Sequence, residues 1–366
     1  MLGPIPMQKE LLALTEALIR FRTTADRPET LEVCADFIAD FFSGTGLEVV
    51  RSAANGIPSI VVSKQTKTPT VFLCGHFDVV PGNDEQFSPR VVGDRLYGRG
   101  ALDMKSGVAV MMLLMKVCAT TKHDVGLMLT GDEEHGGFHG TGRLVEEGYR
   151  PRVALIPDGG EAIHRMVMKE KGVMRVTLHA TGRSVHGSVP WKGENAIMAL
   201  ARVLDRVHDT FLSWDTHPED RWASTINVGH INGGVAVNQV PAEATARCDI
   251  RYIPEDRPEE ILARIRAVLP DGVTATQDLL QPPVSVRVDD PFVQPFFDIV
   301  RAHGREPVSV LAHGSSDARF FAAHDIPVIM SQPDGAGHHG SEESVHIPSI
   351  EEYYRVLLAY LDRVAL

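Results

Sequence analysis

Short apolar runs punctuate the first 165 residues, and stretches of helical periodicity separate them. Helix-spaced apolar positions cover roughly 8–22 and 30–44. The runs LEVV, SIVV and TVFLCG follow, then a long helical pattern over 105–117, the run VGLMLT, a helical stretch near 140–147, and VALIP. This alternation predicts an α/β domain with a mostly parallel central sheet flanked by helices.

The pattern changes near Glu170. GVMRVTLHAT alternates with period two, and a Pro/Gly-marked loop and a helical stretch over 194–211 come next. ASTINVGHI, AEATARCDIRYI and a helical pattern near 258–268 complete the block. Strands of this alternating kind keep one solvated face, so the block reads as an antiparallel sheet covered by two helices. After Val288 the α/β pattern returns, with helices at 291–302 and 350–364 around the strand IPVIMS. The expected organisation is a discontinuous α/β domain, 1–170 and 286–366, interrupted by an inserted α+β domain, 171–285.

Composition changes little in this picture. Of 366 residues, 43% are hydrophobic and 23% charged, which is ordinary for a globular chain. The net charge of −12 and the lack of a basic stripe argue against a nucleic-acid partner. Cys34, Cys74, Cys118 and Cys248 are scattered without a C-x-x-C pair. They suggest neither a disulfide framework nor a thiolate zinc site, and they suit a reducing compartment, the cytoplasm. The longest apolar stretch, GVAVMMLLMKVCA, is too short to span a bilayer, so no membrane association is expected.

Candidate chemistry sits where the strands end. TVFLCG runs into His76 and Asp78, VGLMLTG into Glu133 and Glu134, and VALIP into Asp158. Carboxyl ends of parallel strands share one edge, where open α/β folds place their sites. Asp103, in GRGALDMKSG, sits just before a helix and can face that edge. Each has a plainer alternative: Asp103 as an N-cap, His76 as a core histidine, the glutamates as solvated loop charges, and Asp158 as a turn residue. Together they favour a metal centre of imidazole and carboxylate, suited to zinc, cobalt or manganese.

HFDVVPG, GRGALDMKSG and TGDEEHGG resemble the two-zinc hydrolase family of aminoacylase, carboxypeptidase G and succinyl-diaminopimelate desuccinylase, a likeness running through nearly the whole chain. The resemblance implies two divalent ions per chain, with His76 and Asp158 on one, Asp103 bridging, and Glu134 on the other. HHGSEESV resembles the family pattern H-x-x-x-E-x-V, which selects His339 as the last ligand by its spacing to Glu343; His338 is the second choice. It further implies that Glu133 is the general acid/base, activating a metal-bridging water whose hydroxide attacks an amide carbonyl. Asp78 would accept the free ring N–H of His76.

In the inserted domain, GRSVHGSVPWKGENAI places His186 in a loop. The likeness implies that this histidine reaches a homodimer partner's site and stabilises an oxyanion, the insert being both lid and dimerisation surface; a surface histidine is the plain alternative. NQVPAEATARCDIRY supplies Asn238 and Arg251, which resemble the family's substrate-handling pair, Arg251 holding a carboxylate; Arg247 is its rival. HGSSDARFF resembles a loop lining the substrate cleft, with Gly314 and Ser315 contributing.

Competing motifs fail. A phosphate loop needs G-x-x-x-x-G-K-[ST], but counting from Gly98 the second glycine position is Asp103. His135 and His139 lack the H-E-x-x-H context and flank helix-poor glycines. The reading is a metal-dependent amidohydrolase on a small carboxylate-bearing substrate, an N-acyl amino acid deacylase first and an exopeptidase of short peptides second. A non-catalytic metal-binding module is a third reading, which the complete ligand set and Glu133 disfavour. Asp158 departs from the glutamate usual in desuccinylases and carboxypeptidases of the family, and aspartate is commoner in aminopeptidase-like members.

Overall fold

A computed structural model describes residues 6–64, 66–211 and 221–366. The chain folds into two compact units. One runs to Met168 and resumes over Val286–Ala312 and Ser316–Leu366; the other comprises Lys169–Ser285 with His313–Ser315.

The first unit is built on a six-stranded sheet ordered Glu48–Ala54, Ile57–Ser63, Val125–Thr130, Val71–His76, Val153–Ile156, Val328–Met330. The last four are mutually parallel, and the first two add an antiparallel edge hairpin. The parallel strands are buried throughout because helices cover the sheet, which explains why they read as unbroken apolar runs. Helix Ser106–Cys118 is apolar around most of its circumference and is almost wholly buried. It joins one hydrophobic core with Pro6–Arg20 and Ile347–Val364. The stretch near 140–147 holds less helix than its pattern suggests: a wide helical turn, Phe138–Gly142, leads into the short helix Arg143–Glu146.

The second unit is an antiparallel sheet ordered Thr225–Gly233, Glu243–Tyr252, Gly172–Thr181, Val273–Gln281. Its inward residues, including Met174, Val176, Leu178 and Ile250, pack with Leu200 and Val203 of helix Ala196–His208 and Ile261 and Ile265 of Pro258–Ala267. Arg175, Arg247 and His179 line the opposite face. No described helix is long and apolar enough to cross a membrane.

Candidate metal centre

Three parallel strands deliver the predicted groups to one edge. His76 closes its strand in register with Thr130, so the Glu133–Glu134 turn follows directly beside it. Val153–Ile156 pairs on the other side, and Asp158 comes two residues after it. Asp103 sits in an irregular turn with φ −117° and ψ 94°, and the following helix, Ser106–Cys118, receives no side-chain cap. The N-cap reading of Asp103 therefore fails.

Its carboxylate has another use. Oδ1 lies 3.1 Å from His76 Nε2, while Oδ2 lies 2.7 Å from His338 Nε2 and 2.9 Å from His339 Nε2. His339 also stands 3.3 Å from Glu134 Oε1. Its left-handed φ of 58° is uncommon for a residue with a side chain and is the kind of backbone found at functional sites. Two triads, Asp103–His338–His339 and His76–Asp103–Asp158, each bring three potential ligand atoms within 4.8 Å of one another, and Asp103 belongs to both. The donor set is imidazole and carboxylate without sulfur, and the four cysteines are buried elsewhere as free thiols. These residues have the chemistry to hold divalent cations, and Asp103 is common to both groups.

Electrostatics at the cluster point the same way. Burial opposes charge on His76, yet Asp103 and Asp78 lift its pKa well above the ordinary value. Asp103 is buried too, but His338, His339 and His76 hold its carboxyl well below the usual range. Hydrogen bonds that the His339 ring donates to Asp103 and then to Glu134 raise its pKa to about 10. The carboxylates draw positive charge to this spot, a demand that a divalent cation also meets.

Glu133 is half-buried. Removal from water, reinforced by the charges of Asp317, Asp158 and Asp103 against the opposing pull of His76, raises its pKa well above the usual range. That is the direction a general acid/base requires at neutral pH. Asp78 does more than its sequence position suggests. Its main-chain carbonyl is 3.0 Å from His76 Nδ1 and its carboxylate 3.5 Å away. The same carboxylate accepts the main-chain N–H groups of Glu133 at 3.2 Å and Glu134 at 3.1 Å, so one residue orients both His76 and the paired glutamates. Gly137 then turns the chain back at φ +60°; a Cβ there would meet Asp317 Oδ1 at 1.9 Å.

Several supporting residues escaped sequence reasoning. Glu343, used only as a spacing marker, is buried and accepts N–H groups from Gly100, Leu102 and Asp103 at 3.0–3.1 Å. Arg99 donates to it at 2.6 Å and to the His339 carbonyl at 3.1 Å. The pair ties the Asp103 turn to the histidine loop. Asp132, pushed up to about 6 by burial and then by Asp317, accepts the N–H groups of His139 and Gly140 beneath the glutamates. The signal available for Arg99 and Glu343 was their nearness in sequence to Asp103 and His339.

In the second unit, His186 is exposed, with Nδ1 2.7 Å from the Ser188 hydroxyl. Gly187 donates to the Asn238 carbonyl at 2.7 Å, so His186 and Asn238 lie on adjoining segments. Arg251 donates through Nε to Asp249 at 3.1 Å. Gly314 accepts the Lys171 N–H at 3.2 Å, and the Ser315 hydroxyl is buried without a hydrogen-bond partner among the described residues.

Residues 72–363 match the family described as Peptidase family M20/M25/M40. A protein of Rhodospirillum centenum named succinyl-diaminopimelate desuccinylase is 31% identical over 322 residues, 81% of this chain and 82% of its own. Another so named, from Dinoroseobacter shibae, is 32% identical over 87% of this chain and 91% of its own. Among solved structures, aminopeptidase PepT of Bacillus cereus aligns over 98% of this chain and 99% of its own with a TM-score of 0.76 at 18% identity. A metallo-carboxypeptidase of Sulfolobus solfataricus covers 96% and 98% with a TM-score of 0.75 at 16% identity.

Proposed function

The chain belongs to the M20/M25/M40 peptidase family of metal-dependent hydrolases, and on that premise we propose that it removes the acyl group from a small N-acyl amino acid. The observation that carries the reading is Asp103, with His76 on one oxygen and His338 and His339 on the other, beside an acid–base candidate of raised pKa. Two divalent ions, zinc first with cobalt and manganese as alternatives, would supply Lewis acidity to the scissile carbonyl and lower the pKa of water. His76 and Asp158 would hold one, Glu134 and His339 the other, and Asp103 both. Glu133 takes the proton of the attacking water and returns it to the leaving nitrogen. Asp78 keeps Glu133 and His76 in place through the contacts above.

Arg251 and Asn238 are assigned to the substrate, with Arg251 pairing to its carboxylate; Gly314 and Ser315 supply a further wall. His186 is assigned to oxyanion stabilisation across a homodimer. Exposed Ile231, Val235 and Val237 on and beside the edge strand Thr225–Gly233, with Ile197 and Met198, support an association surface there. A monomer by sedimentation would remove the cross-subunit role of His186. The four reduced, buried cysteines accord with a cytoplasmic setting.

An exopeptidase of short peptides is the second reading, favoured by Asp158. An amide-hydrolysis panel separates the two. Zinc-, cobalt- and manganese-loaded protein is assayed on N-acetyl and N-succinyl amino acids and on dipeptides, with Glu133→Gln as control. The expected result is turnover of N-acyl amino acids that falls about 10²–10⁴-fold in the variant. Preference for dipeptides would replace the first reading by the second. Turnover surviving in Glu133→Gln would refute the assignment of the base.

A further inference from the structure

Lys171 is a buried cation of the second unit. It immediately precedes the strand Gly172–Thr181 and is only 2% exposed. Lysine is almost never so buried unless it is paired. Two other lysines show the usual remedies: Lys105 donates to the Phe21 carbonyl at 2.7 Å, and Lys169 pairs with Glu255. Among the described residues the Lys171 ammonium has no such acceptor. Its recorded neighbour is the Trp222 ring, 5.8 Å from Nζ and at the outer limit of a useful cation–π contact.

The charge that reaches it is positive. Burial and then the charge of Arg251 depress the Lys171 pKa, so the two cations sense one another. Arg251 lies opposite Val173, two residues along the strand from Lys171. Asp249 occupies only its Nε, leaving the two terminal guanidinium nitrogens without a partner among the described residues. The loop His313–Ser315 is tied to this place by the Lys171 N–H bond to Gly314. His313 meets Trp222 edge-on at 5.8 Å, and burial followed by the Lys171 charge lowers its pKa.

Burying an ammonium that senses a guanidinium and has no carboxylate on it among the described residues is costly, and a negative group from outside would relieve that cost. We propose that Lys171 and Arg251 form an anion subsite on the second unit that binds a carboxylate of the ligand, walled by Trp222 and bordered by His313. The inference rests on the assignment of Arg251 to a substrate carboxylate. It adds Lys171 as a second, specificity-determining cation, so that substrates whose carboxylate is neutralised are rejected. A planar fork and a compact ammonium together suit a carboxylate, whose two oxygens accept from both.

The test is calorimetric titration of the full chain, chelated and zinc-loaded, with succinate and with neutral succinamide. Wild type is compared with Lys171→Met, which keeps the bulk of the side chain, and Lys171→Arg, which keeps the charge. Succinate affinity should fall roughly tenfold or more in Lys171→Met, chelated or loaded, and largely return in Lys171→Arg. Succinamide should bind no more tightly to wild type than to Lys171→Met, and the melting temperature of Lys171→Met should stay level or rise. Unchanged succinate affinity in Lys171→Met, or no saturable succinate binding by wild type, would overturn the subsite. Because the chelated titration needs no turnover, it stands apart from the hydrolase reading: a failed substrate panel leaves it readable. Conversely, normal turnover with an unchanged KM in Lys171→Met sinks the subsite alone.

Discussion

Asp103 divides its two oxygens between His76 and the pair His338–His339, and His339 alone of that pair is recorded against Glu134 as well. The second ion should therefore depend more on His339 than on His338. Without metal, His339 is raised to about 10, so it carries a proton at neutral pH that a metal ion must displace. Protons compete less as pH rises, and zinc affinity should increase steadily from pH 6 towards 9. Calorimetry in buffers of different ionisation enthalpy should register net proton release at pH 7. His339→Ala should weaken the second ion more than His338→Ala; the reverse order would exchange their roles. The acidic and imidazole groups were legible because each follows an apolar strand or a glycine turn. Spacing to Glu343 puts His339 ahead of His338, but that spacing carries no sign that both rings reach one oxygen of Asp103.

At the scale of elements, Glu343 holds the Asp103 turn by accepting three main-chain N–H groups, and Arg99 links it to the histidine loop. Both side chains are nearly inaccessible, at 4% for Arg99 and 1% for Glu343. Replacing Glu343 by Gln leaves a buried guanidinium without its counter-charge. Urea unfolding should show a loss of about 3–5 kcal/mol; a loss below about 1 kcal/mol would mean that the turn is held by other contacts. The strands VGLMLT and GVMRVTLHAT match their sequence patterns end to end: the first is buried at every position, and the second turns Arg175, His179 and Thr181 outward between buried residues. Val273–Gln281 was missed for the opposite reason. It is a half-exposed edge strand of mixed polarity with a register shift at Gln277/Leu279, so no period-two signal survives. The short strands Arg90–Val92 and Arg95–Tyr97 offer too few positions for a pattern at all.

Across the whole molecule, the return of an unbroken apolar run, IPVIMS, between two helical patterns after residue 286 pointed to the discontinuous architecture, since a helix-covered sheet needs strands buried on both faces. The attachment of His313–Ser315 to the second unit was not readable, because its recorded tie to Lys171 is a main-chain hydrogen bond that no side-chain pattern reports. The same limit hid Lys171: a lysine before a strand looks like any solvated charge until its burial is known. The central claim is that the strand-end cluster is a two-ion centre sharing Asp103, and it is tested most directly by elemental analysis of zinc-reconstituted protein beside Asp103→Ala, each confirmed folded by circular dichroism. Two zinc ions per wild-type chain, with both lost in the variant, is the predicted result. A wild type that holds fewer than two, or an Asp103→Ala chain that keeps both, would contradict it.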